Sequence, residues 1–191
     1  MSIKNPWALA ALAAVAVGAL AGAALAQIVR LDLSQMVAAT DDAVLGTIRA
    51  SKVFRTDGNG QGQVRELYFT TLTIEGRSLS SDQPLTVDVT FPGGILSPKE
   101  GSYNSEAPAA ADVQVGNRVV AFFKHVDDLG NGLSTNALYA SHGGLYRVFS
   151  ARGEDVVQGR GDGYAISRNW RLTELDQEIT RLSEQLRGRG K

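Results

Sequence analysis

Along most of this chain, apolar and polar residues alternate with a period of two. Val44, Ile48 and Val53 stand among small or polar residues in "AVLGTIRASKVF" (43–54). In "RELYFTTLTIEG" (65–76) the alternation runs through Leu67 and Phe69, then shifts phase to Leu72 and Ile74. "PLTVDVTF" (84–91) alternates at Leu85, Val87, Val89 and Phe91. "NRVVAFFKHV" (117–126) is nearly continuous, and "LYRVFSA" (145–151) follows it. β-branched and aromatic residues at this period, interrupted by Gly, Asn and Pro, predict five principal antiparallel strands with one buried face.

The period changes at the carboxyl end. In "WRLTELDQEITRLSEQLR", Leu172, Leu175, Ile179, Leu182 and Leu186 recur at spacings of three and four, which is one stripe along a helix. Thr173 with Asp176 suggests a capping pair at its start, and Gly188 a stop. The bland expectation is that this stripe packs on the strands. The alternative is a helix that binds a partner or pairs with a second copy, since the spacing also suits a coiled-coil seam. The tail from residue 188 is expected to be disordered. Before the strands, "LDLSQMVAATDD" reads as a short helical lead-in capped by Ser34.

The first residues have a different character. "MSIKNPWALAALAAVAVGALAGAALAQ" offers one cation, Lys4, then an uncharged Ala/Leu/Val run, then Ala24-Leu25-Ala26 before Gln27. That is the three-part grammar of a secretory signal, with cleavage expected between Ala26 and Gln27. Retained uncleaved, the run would act as a membrane anchor, and residues after 30 would lie outside in either case. The expected location is periplasmic or secreted. The organisation then reads as signal peptide 1–26, lead-in 27–42, β-barrel 43–169, helix 170–187 and tail 188–191.

Composition narrows the chemistry. Nineteen Lys+Arg face twenty Asp+Glu, and removing the signal costs only Lys4, so no broad positive field draws nucleic acid. There is no cysteine, which excludes disulfides, thiol catalysis and Cys-based zinc sites. No cofactor is indicated.

Several short stretches carry functional suggestions. "TDGNGQGQVREL" (56–67) spaces Asp57, Asn59 and Gln61 like a calcium loop, but Tyr68 stands where a bidentate carboxylate is required. With strands on both sides and three glycines, the segment reads as a hairpin turn. His125 lies near Asp127 and Asp128, and "HGG" at 142–144 resembles the oxyanion loop of lipases. The nucleophile elbow Gly-x-Ser-x-Gly is missing, so a hydrolase or protease-associated factor with a site around His125 and His142 ranks second. "GRGDG" (159–163) reads as a tight turn. The connection 92–116, with Pro92, Pro98 and Pro108, is long enough to be functional or mobile, and leans to mobile.

Taken together, "DDAVLGTIRASKVF", "LTVDVTFPGG", "VQVGNRVVAFFK", "GGLYRVFSARG" and "RLTELDQEI" resemble a broad group of exported bacterial proteins with a netrin/TIMP-like OB fold. The resemblance covers roughly residues 33–180 and implies a mainly β, five-stranded OB-like antiparallel barrel with a C-terminal amphipathic helix. The protease inhibitors of that class act through an amino-terminal cysteine, which the expected mature start Gln27-Ile28-Val29 lacks. In OB barrels ligands favour the face of strands two and three and the rim made by loops one-two and four-five. Those loops would be 56–64 and 127–136, with Asp57, Asn59, Tyr68, Asp127, Asp128 and Asn131 as candidate ligand-binding residues and no metal. The expected function is a non-enzymatic binding module of the cell envelope, contacting a protein or glycan through these loops or the helix stripe.

Overall fold

A computed structural model describes residues 31–58 and 66–189. The expected cleavage pair Ala26 and Gln27, and the candidate Asn59, lie outside the described residues. Helix α1 (Leu33–Ala39) leads into β1 (Asp42–Thr56), β2 (Leu67–Ser78) and β3 (Pro84–Pro92). A small hairpin follows, β4 (Gly94–Ser97) with β5 (Glu100–Ser102), then β6 (Arg118–Val126), β7 (Thr135–Leu138), β8 (Leu145–Ala151), β9 (Glu154–Val157), β10 (Trp170–Arg171) and helix α2 (Leu172–Arg189).

Five strands close into a barrel in the order β1-β2-β3-β7-β6 and back to β1. β1 is long enough to serve both ends of the cycle: residues 42–47 pair with β6, while Val44 to Thr56 pair with β2 across a bulge between Ile48 and Ala50. The bulge bends the strand and sharpens its twist, which lets one strand belong to two ladders. Gly46 and Gly76 face each other in the first ladder, and a Cβ on Gly76 would sit 2.0 Å from the Leu45 carbonyl oxygen. Only glycine allows that approach.

One seam differs from the all-antiparallel expectation. β3 meets β7 in parallel, at Thr90 opposite Ala137, so the closed barrel is mixed. The fifth barrel strand is also not "LYRVFSA". β7 and β8 lie along the same edge of β6, with β7 opposite residues 123–126 and β8 opposite 118–121. β7 closes the barrel, and β8 carries the sheet outward to β9 and β10.

The alternation sorts side chains into two cores. Val44, Ile48, Leu72, Ile74, Val89 and Phe91 fill the barrel with Val119, Ala121 and Phe123. Ala43, Leu45, Val120, Phe122, Tyr146 and Val148 point the other way and pack under α1 and α2. β6 is therefore buried on both faces, which explains its nearly unbroken apolar run.

The stripe on α2 belongs to that second core. Leu172, Leu175 and Ile179 are buried, Leu182 is partly buried against the same cluster, and only Leu186 is substantially exposed, at 40%. Of the two readings of the stripe, Leu172, Leu175, Ile179 and Leu182 follow the first, packing on the chain's own barrel rather than offering a partner-binding face, and Leu186 lies outside that packing. Three other sequence expectations shift at helix ends. Asp32, not Ser34, caps α1; its carboxylate accepts from the Gln35 amide at 2.8 Å while the Gln35 side chain accepts from the Asp32 amide. The Asp176 carboxylate is bound by Arg77 rather than by the first turn of α2. α2 also continues through Gly188 to Arg189, three turns being already held by packing.

Candidate functional site

At one rim of the barrel the paired ends of β1 and β2 meet the connection from β6 to β7. β1 and β2 remain paired to Thr56 opposite Leu67, so the segment between them connects the arms of a long hairpin. Across from it, the connection from β6 to β7 folds on itself: Asp128 Oδ1 accepts from the amides of Gly130 and Gly132 at 2.8 and 2.9 Å. Asn131, with φ of 54°, then donates to both the carbonyl and the hydroxyl of Thr56. Asparagine tolerates this left-handed geometry better than most residues. The β6–β7 connection is thereby tied to the end of β1.

Charge at the rim gathers on Arg55. Its guanidinium reaches Asp57, Glu66 and Glu100 at 3.0, 3.3 and 3.5 Å, so three carboxylates share one cation and the site stays acidic. The neighbouring Tyr68 hydroxyl, and then the fields of Asp57 and Glu66, hold the Arg55 guanidinium above its ordinary pKa. Tyr68 is buried, and its hydroxyl donates to Glu66 at 3.2 Å. Desolvation pushes that phenol up, with Arg55 opposing.

Beside Tyr68 lies a cavity of about 250 Å³ whose walls include Phe69, Pro92, Tyr103, Asn104 and Leu129, with Glu66 at its edge. The floor is held by the Gly93 amide, which donates to the Tyr68 carbonyl at 2.7 Å, and by Thr70, whose hydroxyl donates to the Gly93 carbonyl at 2.7 Å. Next to this cavity the β4–β5 hairpin projects Ile95 and Leu96, and Tyr103 follows it at 89% exposure. The connection 92–116, expected to be mobile, thus contains an ordered hairpin. It is pinned further by the Asn117 side chain on the carbonyls of Ala111 and Asp112, and by the His142 amide on the Glu106 carbonyl.

Of the residues proposed from sequence, Asp57 binds Arg55, Tyr68 binds Glu66, Asn131 binds Thr56 and Asp128 braces its own loop, but only Tyr68 lines the cavity. Asp127 is fully exposed, and the His125 imidazole lies 3.8 Å from its carboxylate. The sequence reading missed Glu66, Phe69, Leu129 and above all Tyr103. The available signal was a single aromatic placed in a Pro/Ser/Ala connection, where no core demands one.

The two histidines engage different groups. His125 Nε2 lies 3.4 Å from the Ser134 hydroxyl. His142 Nδ1 is 2.9 Å from the Glu106 carbonyl and Nε2 is 2.7 Å from the Tyr164 hydroxyl. They share no partner, and among the described residues no group of three His, Asp or Glu is placed to hold a metal ion. Comparison of the chain with protein-family models, with curated proteins and with solved structures returned no match.

Proposed function

We propose that this chain is an exported, non-enzymatic binding module that takes a protein partner at the barrel rim. The observation that carries this reading is where exposed apolar side chains fall. Among the described residues the large ones are Ile95, Leu96, Tyr103, Val115, Phe149 and Leu186; Tyr103 lines the cavity that Glu66 edges, and Ile95 and Leu96 lie on the hairpin between two of its wall residues, Gly93 and Ser102. Scattered exposed apolar residues need no explanation, whereas a cluster beside a concavity is the usual mark of an interaction site. Ile95 and Leu96 favour a polypeptide over a glycan, because a sugar ring gains from a flat aromatic and little from a branched aliphatic tip. The partner segment would place an apolar side chain in the cavity and a Lys or Arg against Asp57, Glu66 and Glu100. Export is supported by the charge, apolar run and Ala24-Leu25-Ala26 pattern at the amino end.

Affinity capture from a cell-envelope extract tests this, using the wild-type chain beside an Ile95→Asp/Tyr103→Ala variant matched for melting temperature. The expected result is a protein retained by the wild type and lost from the variant. Equal retention by both, or none by either, contradicts the reading.

A further inference from the structure

A second cavity, about 210 Å³ and sharing no wall with the first, is lined by Asp112, Arg147, Gln158, Gly159, Arg160 and Tyr164. Most of its polar groups are already committed. Arg160 donates through Nε and Nη2 to the Leu145 carbonyl at 3.0 and 2.8 Å, and through Nη2 to Asp112 at 2.8 Å. Its guanidinium also stands 5.8 Å from the centre of the Tyr146 ring. Asp112 and Arg160 therefore neutralise each other, with both side chains largely buried.

Arg147 is different. It is half-buried, it lines the cavity, and among the described residues its guanidinium makes no hydrogen bond or ion pair. A guanidinium carries five donors in a planar fork, and partial burial without an acceptor is unfavourable. The neighbouring acceptor is oriented too. The Glu106 carbonyl can only accept, so His142 Nδ1 carries the proton toward it, and in the neutral imidazole Nε2 accepts from the Tyr164 hydroxyl. That leaves the Tyr164 oxygen with lone pairs for a donor.

We infer that this cavity binds a small carboxylic acid, with the carboxylate on Arg147 and a hydroxyl or ammonium of the same molecule on Tyr164. The charge balance selects the head group: once Asp112 has cancelled Arg160, one positive charge remains, which a carboxylate neutralises and a phosphate dianion exceeds. The guanidinium fork matches a planar carboxylate through two parallel hydrogen bonds. The volume lies below the range of drug-sized sites, which limits the ligand to a few heavy atoms such as a hydroxy or amino acid.

Isothermal titration of the full chain with lactate, alanine, acetate and inorganic phosphate tests the inference. Saturable one-to-one binding of lactate or alanine is expected, weaker binding of acetate, and weakest binding of phosphate. Arg147→Gln should weaken lactate or alanine binding about tenfold or more, the effect of losing a charged hydrogen-bond partner. Backbone amide shifts at Arg147, Gln158 and Gly159 in the unaltered chain give the same answer without a substitution. No saturable binding of any carboxylate, phosphate as the tightest ligand, or shifts confined to other residues would overturn it. The outcome is independent of the rim, because the two cavities have no residue in common.

Discussion

Asn131 reaches Thr56 across the top of the barrel, donating from Nδ2 to its carbonyl and its hydroxyl at 3.2 Å each. Seventy-five residues separate the two in sequence, so this contact fixes the β6–β7 connection against the end of β1.

Asn131 acts through both side chain and backbone, and two substitutions separate the effects. Asn131→Ala removes the hydrogen bonds and puts a Cβ-bearing residue at φ of 54°, for an expected loss of about 1–2 kcal/mol. Asn131→Gly keeps the backbone geometry and should cost less, at equal loss of the side-chain bonds. Urea denaturation of both variants checks the order.

Arg77 on β2 holds Asp176 on α2 with bonds of 3.2 and 2.5 Å, the carboxylate keeping the guanidinium above its ordinary pKa. Thr180 on the Leu79 carbonyl and Arg187 on the Ser80 carbonyl add to the same seam. Both members of the ion pair are about one-third exposed, so solvent discounts it. Asp176→Asn should destabilise by about 1–2 kcal/mol, and a double-mutant cycle with Arg77→Met should return a favourable coupling of about 1 kcal/mol.

The two ends of the α2 stripe should respond differently. Leu175→Ala empties a fully buried site and should cost about 2–5 kcal/mol, whereas Leu186→Ala at an exposed site should stay within about 0.5 kcal/mol. Thermal denaturation distinguishes this packed helix from one that awaits a partner, for which both changes would be nearly silent in the isolated chain.

Stability should fall at both extremes of pH. Asp155 is held below its usual range by Ser150 and then Arg118, Asp32 by the Gln35 amide and then Ser34, and Glu178 by Arg181. A depressed folded-state value means that the unfolded chain binds protons first, so this stabilisation is complete above the ordinary carboxylate values and is lost as pH falls through the folded ones. Tyr146 gives the opposite sign. Burial pushes its phenol up to about 12, so its contribution is complete below about 10 and is lost between about 10 and 12. Denaturant midpoints measured across pH should decline at both limits, and Asp155→Asn should flatten the acid limb.

The barrel was legible because its strands obey a simple rule. In β3, Val87, Val89 and Phe91 turn inward while Thr86 and Asp88 face out, and period-two alternation records that directly. β6 was legible as a strand, but its two-sided burial emerges only once α1 and α2 are seen to cover the second face. β7 was not legible. "TNAL" has no alternation, and its single parallel partner across the seam, Thr90, lies far away in sequence. The same limit applies to the rim. The hairpin signals marked where the loops fall, yet the cavity draws Tyr103 from the connection between β5 and β6, and no local pattern records that approach. The pairing of Asp176 with Arg77 was hidden for the same reason, since a carboxylate in a first turn looks like a cap until the sheet supplies a guanidinium.

The most direct measurement places a photo-activated crosslinking side chain at position 103, beside the rim cavity, and in a separate sample at position 184, on the exposed face of α2. The rim account predicts a single protein adduct from position 103, suppressed by excess unmodified chain, and none from position 184. An adduct from position 184 alone, equal labelling from both, or no adduct from position 103 would contradict it.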